Sequence, residues 1–156
     1  MPRSSGAIVF AAMRRYVVCL AVLCLSVTVM QAQDRNAEEL NRLQGAWTVT
    51  AAEQNGRPFD AIKGGVLTIA ERNFTLRTAS GNELKGELRV DAAASPRHLD
   101  LVHTGGPVWE AIYTADGDLF RLNYVEADGR SKRPTLFATS ADAAGTVIVM
   151  RRAPTP

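Results

Sequence analysis

The feature that most constrains this chain is a succession of short segments of alternating polarity, separated by residues that favour turns. After residue 45 these segments recur about every 8 to 12 residues, which is typical of sandwiches and barrels. Turn residues such as Asn55-Gly56 and Asp116 to Asp118 stand between them. Because no long helical segment interrupts the series, consecutive strands should pair in an antiparallel meander.

The alternation predicts strands and one helix. A short helix is expected at residues 34–44, where Leu40 and Leu43 lie three apart and Gly45 follows. The predicted fold is all-β, an antiparallel meander barrel of about 8 to 9 strands preceded by this helix, because closure removes the exposed edges of a meander. The predicted strands lie at residues 47–51, 66–69, 74–77, 83–90, 98–103, 108–114, 119–125, 135–140 and 146–150.

The N-terminal segment reads as a secretory signal. Tyr16 to Met30 are fifteen residues without a charge, preceded by Arg14 and Arg15. A positive region, an apolar run and a small residue before the cleavage point define such signals. We therefore predict a signal peptide at residues 1–32, cleaved after Ala32, and a single domain at residues 33–156. The predicted location is outside the cytoplasm, periplasmic or secreted.

Three alternatives stay open for this segment. A start at Met13 would give a signal of more usual length. A retained membrane anchor would need about 20 apolar residues, more than this run supplies. Lipid modification of Cys24 would need a small residue before it, where the chain has Leu23. We expect no stable membrane anchor after processing.

The predicted signal changes the chemistry left to the domain. Both cysteines, Cys19 and Cys24, fall within it, so the processed chain would have no disulfide, thiolate site or thiol nucleophile. It also holds three arginines and no acid, which leaves 15 basic and 16 acidic residues after it. A nearly neutral domain of mixed charge gives no electrostatic reason to expect a nucleic-acid partner.

An ordered set of motifs carries a resemblance to a known family. The set covers nearly the whole predicted domain and is LQGAW (43–47), NGRP (55–58), YTADGDLFRL (113–122), RPTLFAT (133–139) and VIVMRR (147–152). It resembles a family of small exported bacterial domains of unknown function that are described as lipocalin-like. The resemblance implies the barrel fold and carries no established activity. The chain departs from the family at His103, where an aliphatic residue is usual.

The same resemblance implies a structural role for three residues. In lipocalins the tryptophan of the G-x-W motif closes one end of the barrel, and an arginine after the last strand packs over it. The matching residues here are Trp47 and either Arg151 or Arg152. An indole plugs an apolar floor well, and a guanidinium on its face adds about 0.5 to 2 kcal/mol.

Five inward residues are candidates for a ligand site at the end opposite Trp47. Alternation places Leu101 and His103 on one face of their strand, and Phe120, Leu122 and Tyr124 on one face of theirs. Such a wall would suit a mostly apolar molecule with one hydrogen-bonding end. The competing interpretation is that side chains fill the interior of so small a barrel.

The remaining polar clusters have simple structural explanations. Asp116 and Asp118 flank Gly117, but hairpin chemistry explains them without an ion. Arg130, Lys132 and Arg133 form a basic patch, interpreted as a solvated loop rather than an anion site. His98 and His103 are five apart on one strand, so they point to opposite faces and cannot share a metal. We predict no metal site, no cofactor and no catalytic residue, because no catalytic motif occurs.

Three functions remain open at this stage, two of them binding functions and the third, ranked last because no catalytic motif occurs, an enzyme. The first is an exported domain that binds a small apolar ligand inside the barrel. The second is a non-catalytic module, an inhibitor or scaffold, that binds a protein through its outer face or loops. An internal cavity of ligand size would favour the first, and a filled interior with an exposed apolar patch would favour the second.

Overall fold

The computed structural model describes residues 33–141 and 145–154, and the predicted signal, with Met13 and both cysteines, lies outside them. Residues 33–43 form the helix α1. The strands, which all lie in the compact unit Asn36–Pro156, are β1 (Gly45–Gln54), β2 (Arg57–Pro58), β3 (Val66–Ala70), β4 (Asn73–Arg77), β5 (Glu83–Asp91), β6 (His98–His103), β7 (Val108–Asp116), β8 (Leu119–Glu126) and β9 (Thr146–Arg152).

Eight of these strands close into a barrel. From β3 to β9 each strand pairs antiparallel with the next, and β1 pairs with both β3 and β9. The two-residue strand β2 is an addition at the edge of β1. The predicted antiparallel meander barrel with a short preceding helix is confirmed.

The length of β1 allows the barrel to close. Its first residues, Gly45 to Thr48, pair with β3, and the stretch from Trp47 to Gln54 pairs with β9. The register with β9 shifts between Val49 and Ala51. Such a bulge bends a strand and increases its twist, which lets one strand serve two neighbours.

The core fills the barrel interior. On β6, Leu99, Leu101 and His103 are buried, as the alternation predicts, and the intervening residues are half-buried. The cluster extends from Leu43 of α1 to Met150 of β9. The end of the barrel that contains Trp47 is called the floor below, and the opposite end, where β6 ends at His103, is called the mouth.

The predicted strand at residues 135–140 is wrong. Residues 127–139, called the strap below, form no regular strand, and Ser140 forms a single bridge. The reason is that β8 and β9 pair directly with each other from Leu119 to Tyr124, so there is no room for another strand between them. The strap instead lies on the outer face of the barrel.

Within residues 33–141 and 145–154 no helix is long and apolar enough to cross a membrane.

Candidate functional site

Trp47 closes the floor of the barrel. Its side chain is fully buried, and its indole Nε1 donates a hydrogen bond to the carbonyl of Leu43 at 2.8 Å. The ring of Phe120 meets it edge-on with the ring centres 5.3 Å apart. Because the indole nitrogen has a partner, the burial of Trp47 carries no penalty for an unpaired donor.

Arg152 covers the outer face of this indole. Its guanidinium lies 4.1 Å from the ring centre. It also donates to the carbonyls of Gln44 and Arg42, at 2.9 and 3.1 Å, which lie at the end of α1. Carbonyls there lack helical partners, so Arg152 satisfies them while it stacks. Of the two arginines named from the sequence, Arg152 is over the ring, and Arg151 is exposed.

A polar network that sequence reasoning missed joins α1 to the floor. The buried carboxylate of Glu39 accepts a hydrogen bond from the Tyr113 hydroxyl at 3.2 Å and pairs with Arg97 at 2.6 Å. Arg97 also lies over the Tyr113 ring at 5.1 Å. Burial, and then the negative charge of Glu39, raise the pKa of Tyr113, so its hydroxyl stays a donor. The network satisfies a buried charge and fixes the helix to the barrel.

The cavity that the described residues line inside the barrel is very small. The cavity between floor and mouth has a volume of about 10 Å³. That volume is about the least that holds one water molecule. The residues that line it are all inward-facing and include three of the five candidates, namely Leu101, Leu122 and Tyr124, together with Val49, Leu67, Leu76, Trp109, Ile148 and Met150.

Aromatic rings close the mouth. Trp109 stacks on Tyr124, with ring centres 4.3 Å apart and planes 16° from parallel. The ring of His103 meets Trp109 at 4.1 Å and Phe74 at 5.2 Å, both edge-on. Gly86 permits this arrangement, because a Cβ there would meet a Phe74 ring carbon at 2.7 Å. Four rings thus pack against one another toward the end of the barrel for which the ligand site is predicted.

His103 is unusual among the groups at the mouth. His103 is only 8 % exposed, and its Nε2 has no hydrogen-bond partner among the described residues. Burial lowers the pKa of His103, and the charge of Glu126 opposes that shift. The imidazole is therefore neutral at pH 7, with one nitrogen left unsatisfied. Burial also raises the pKa of Tyr124, against a side-chain hydrogen bond with Thr146 that lowers it.

The structure separates one predicted ligand residue from the other four. Leu101, His103, Leu122 and Tyr124 lie toward the mouth, whereas Phe120 packs against Trp47 at the floor. Trp109, which contacts both His103 and Tyr124, was missed. The signal for it was present, because Trp109 shares the strand face of Ala111 and Tyr113, but Ile112 on the opposite face is also apolar and made the inward face ambiguous.

The strap covers the outward face of β8. Asn123 and Val125 point away from the interior and are nevertheless buried. The Asn123 side-chain amide donates to the carbonyls of Leu136 and Ala138, at 2.7 and 3.2 Å. One amide group thereby satisfies two carbonyls of an irregular segment, which explains how the strap is held without a ladder.

Arg133 fixes the middle of the strap to neighbouring strands. Its guanidinium lies 2.7 Å from a carboxylate oxygen of Asp100 and 3.8 Å from one of Glu110, and it donates to the carbonyl of Ala111. Asp100 and Glu110 lie directly opposite each other on β6 and β7. Two such acids would repel each other, and Arg133 between them removes the repulsion.

Two grooves flank the strap on the outer face. The first, called the strap groove, has a volume of about 490 Å³ and includes Arg130, Lys132, Leu136 and Val125. The second has a volume of about 460 Å³ and lies over β1 and β9, with Phe137 in its wall. Leu136 is 71 % exposed. The three residues of the basic patch seen in the sequence thus differ in their surroundings. Arg133 pairs with Asp100, whereas Arg130 and Lys132 are exposed.

The turn around Gly117 joins β7 to β8 at the floor. Gly117 has a φ of 54°, and Asp118 lies 3.5 Å from the Nε of Arg152 at the floor. In the described ranges no group of three or more histidine, cysteine, aspartate or glutamate side chains is placed to hold a metal ion.

Comparison of the chain with protein-family models, with curated proteins and with solved structures finds no match. The class that the geometry defines is a closed, eight-stranded antiparallel barrel with a sealed floor. The lipocalin-like family stays a prediction from the motifs.

Proposed function

We propose that this chain is an exported, non-catalytic binding module that recognises a protein partner through the outer face of its barrel. One observation carries the proposal. The interior cavity that the described residues line has a volume of about 10 Å³, whereas the strap groove has a volume of about 490 Å³. A drug-sized ligand needs a pocket of about 300 Å³ or more, and the interior cavity is far smaller than that. We therefore assign binding to the outer face rather than to the interior.

The exposure of Leu136 supports this choice. Burying a leucine side chain is worth about 1.5 to 3 kcal/mol, so a leucine left 71 % exposed forgoes most of that stabilisation. Leu136 does not lie on a loose tip, because its own carbonyl accepts a hydrogen bond from Asn123. Because its backbone is held and it lines the strap groove, Leu136 offers an apolar contact to a partner that lies in that groove.

The absence of catalytic chemistry is part of the proposal. The buried ionisable network at the floor, Glu39 with Tyr113 and Arg97, is satisfied internally and holds α1 in place. His103 lies among aromatic rings.

Export is tested by the intact mass of the protein recovered outside the cytoplasm. That protein should begin near Gln33 and lack both cysteines. A full-length chain in the membrane would contradict export.

A fluorescence titration with an anilinonaphthalene sulfonate dye tests the proposed surface. The dye has an apolar ring system and one negative charge, which match Leu136 and the cations beside it. We expect saturable one-to-one binding that Leu136→Ser weakens and that His103→Leu and Tyr124→Leu leave unchanged. Binding that depends on His103 and Tyr124 but not on Leu136 would place the site in the interior and overturn the proposal.

A second candidate function rests on His103. Its buried Nε2 has no hydrogen-bond partner in the part of the chain that the structure describes, and a ligand with a hydrogen-bonding end could satisfy it. Such a ligand would have to displace the Trp109 ring from Tyr124 to enter. The dye titration distinguishes the two candidates, because each predicts loss of binding in a different variant.

A further inference from the structure

The strap groove combines two cations that form no ion pair with a described residue and one apolar side chain. Arg130 and Lys132 are exposed and line it together with Leu136. We propose that this groove binds an extended, acidic segment of the partner protein, with an apolar side chain of that segment packed on Leu136. This inference rests on the proposed function and adds the chemical class of the partner.

The charges near the groove explain why the segment should be acidic. Neither Arg130 nor Lys132 forms an ion pair with a described residue, whereas Arg133 is already paired with Asp100. No described acid lines the groove. Asp128, the acid nearest to Arg130 in sequence, accepts hydrogen bonds from the backbone amides of Arg130 and Ser131, which lower its pKa.

Asp128 therefore stays ionised and orders the loop that presents both cations. Its carboxylate is directed to backbone amides rather than to the two side chains. The Arg130 and Lys132 side chains remain without a carboxylate partner in the described ranges. Complementary charge on a partner steers association and suppresses wrong partners, so a binding segment should supply the missing carboxylates.

The shape of the groove favours a protein segment over other anionic surfaces. A volume of about 490 Å³ accommodates several side chains, and the groove is concave beside a single exposed leucine. Stable membrane attachment takes a basic patch together with a lipid anchor or an apolar helix face. Nucleic-acid affinity depends on many phosphate contacts, about 6 to 10 in typical cases, and two unpaired cations do not supply them.

Fluorescence anisotropy with three labelled peptides tests the inference. Each peptide has about nine residues with leucine at alternate positions, and the other positions are Glu, Gln or Lys. We expect the Glu peptide to bind at least about tenfold more tightly than the Gln peptide, which corresponds to about 1.4 kcal/mol. The Lys peptide should not bind. The affinity for the Glu peptide should decrease as the salt concentration rises from about 50 to about 200 mM.

Two double variants with the same net charge assign the binding site. The double variant Arg130→Glu with Lys132→Glu should lower the affinity for the Glu peptide at least about tenfold, which corresponds to about 1.4 kcal/mol. Arg72→Glu with Arg151→Glu changes two exposed arginines near the floor and should alter affinity less than about twofold, since screened charges act weakly at that distance. Circular dichroism checks that both variants are folded.

The outcomes separate this inference from the proposed function. An equal loss of affinity for the Glu peptide in both double variants would overturn the inference that the bound segment is acidic. Equal affinity for the Glu and Lys peptides would overturn it as well. Equal binding of the Glu and Gln peptides that still depends on Leu136 would overturn it while the outer-face function stands. If phosphatidylglycerol vesicles bind through Arg130 and Lys132 and the Glu peptide does not, the partner is a membrane and the inference is wrong.

Discussion

The interior of the barrel and its outer face under the strap use the two sides of one strand, β8, in different ways. Inward, Phe120 and Leu122 pack in the core and Tyr124 stacks on Trp109, leaving little free space. Outward, Asn123 donates to two carbonyls of the strap, and open grooves remain on either side. The inward side therefore supplies stability, whereas the outward side fixes an irregular segment that carries the exposed side chains of Arg130, Lys132 and Leu136.

The largest effect is expected where the interior is most tightly packed. Trp47→Ala removes a fully buried indole between Phe120 and Arg152 and should lower the free energy of unfolding by about 3 to 5 kcal/mol. Urea denaturation measures the change. A loss below about 1 kcal/mol, the average for any point mutation, would mean that the floor is not part of the packed interior.

A smaller effect is expected on the outer side of the same sheet. Asn123→Ala removes both hydrogen bonds to the strap and should lower the free energy of unfolding by about 1 to 3 kcal/mol. Trypsin should also cleave after Arg130 and Lys132 faster, because the strap is released. Asn82→Ala, at an exposed turn, is the control and should change stability by less than about 0.5 kcal/mol. Unchanged cleavage in Asn123→Ala would show that other contacts hold the strap.

The smallest effect concerns His103, the buried histidine at the mouth. Because burial lowers the pKa of His103, the unfolded chain binds a proton near pH 6.5 while the folded protein does not. The contribution of the neutral imidazole to the free energy of unfolding is therefore fully present above that pH and decreases as the pH falls below it. One such group contributes at most about 1.4 kcal/mol per pH unit.

Two variants isolate this contribution. Urea midpoints at about pH 7.5 and 5.5 should differ less in His103→Leu than in the unsubstituted protein, whereas His98→Gln should keep the original difference. Carboxylates are the same in all three proteins, so their titration cancels. An undiminished pH dependence in His103→Leu would contradict a neutral, buried imidazole.

The barrel was predictable from sequence because its strands are local patterns joined by short turns. Alternation on β6 placed Leu99, Leu101 and His103 on the inner face, and the structure buries all three. The strap was not predictable in this way. Its residues 135–140 have strand-like composition, but only the full pairing order shows that β8 and β9 leave no edge for them.

The candidate site was less predictable for the same reason. Alternation gives the face on which a side chain lies and not its height along the barrel, so Phe120 could not be told from Leu122 before the register was known. The strap groove also depends on long-range contacts. Arg133 and Lys132 are neighbours in sequence, and only the contact of Arg133 with Asp100 separates their roles.

The most direct test of the account is a methyl NMR titration with the anilinonaphthalene sulfonate dye, because methyl groups report from both sides of the sheet. Leu101 and Leu122 lie beside the interior cavity, and Val125 and Leu136 lie beside the strap groove. We predict that saturating dye shifts the methyl signals of Val125 and Leu136 and leaves those of Leu101 and Leu122 in place. Shifts confined to Leu101 and Leu122 would contradict the account and assign binding to the barrel interior.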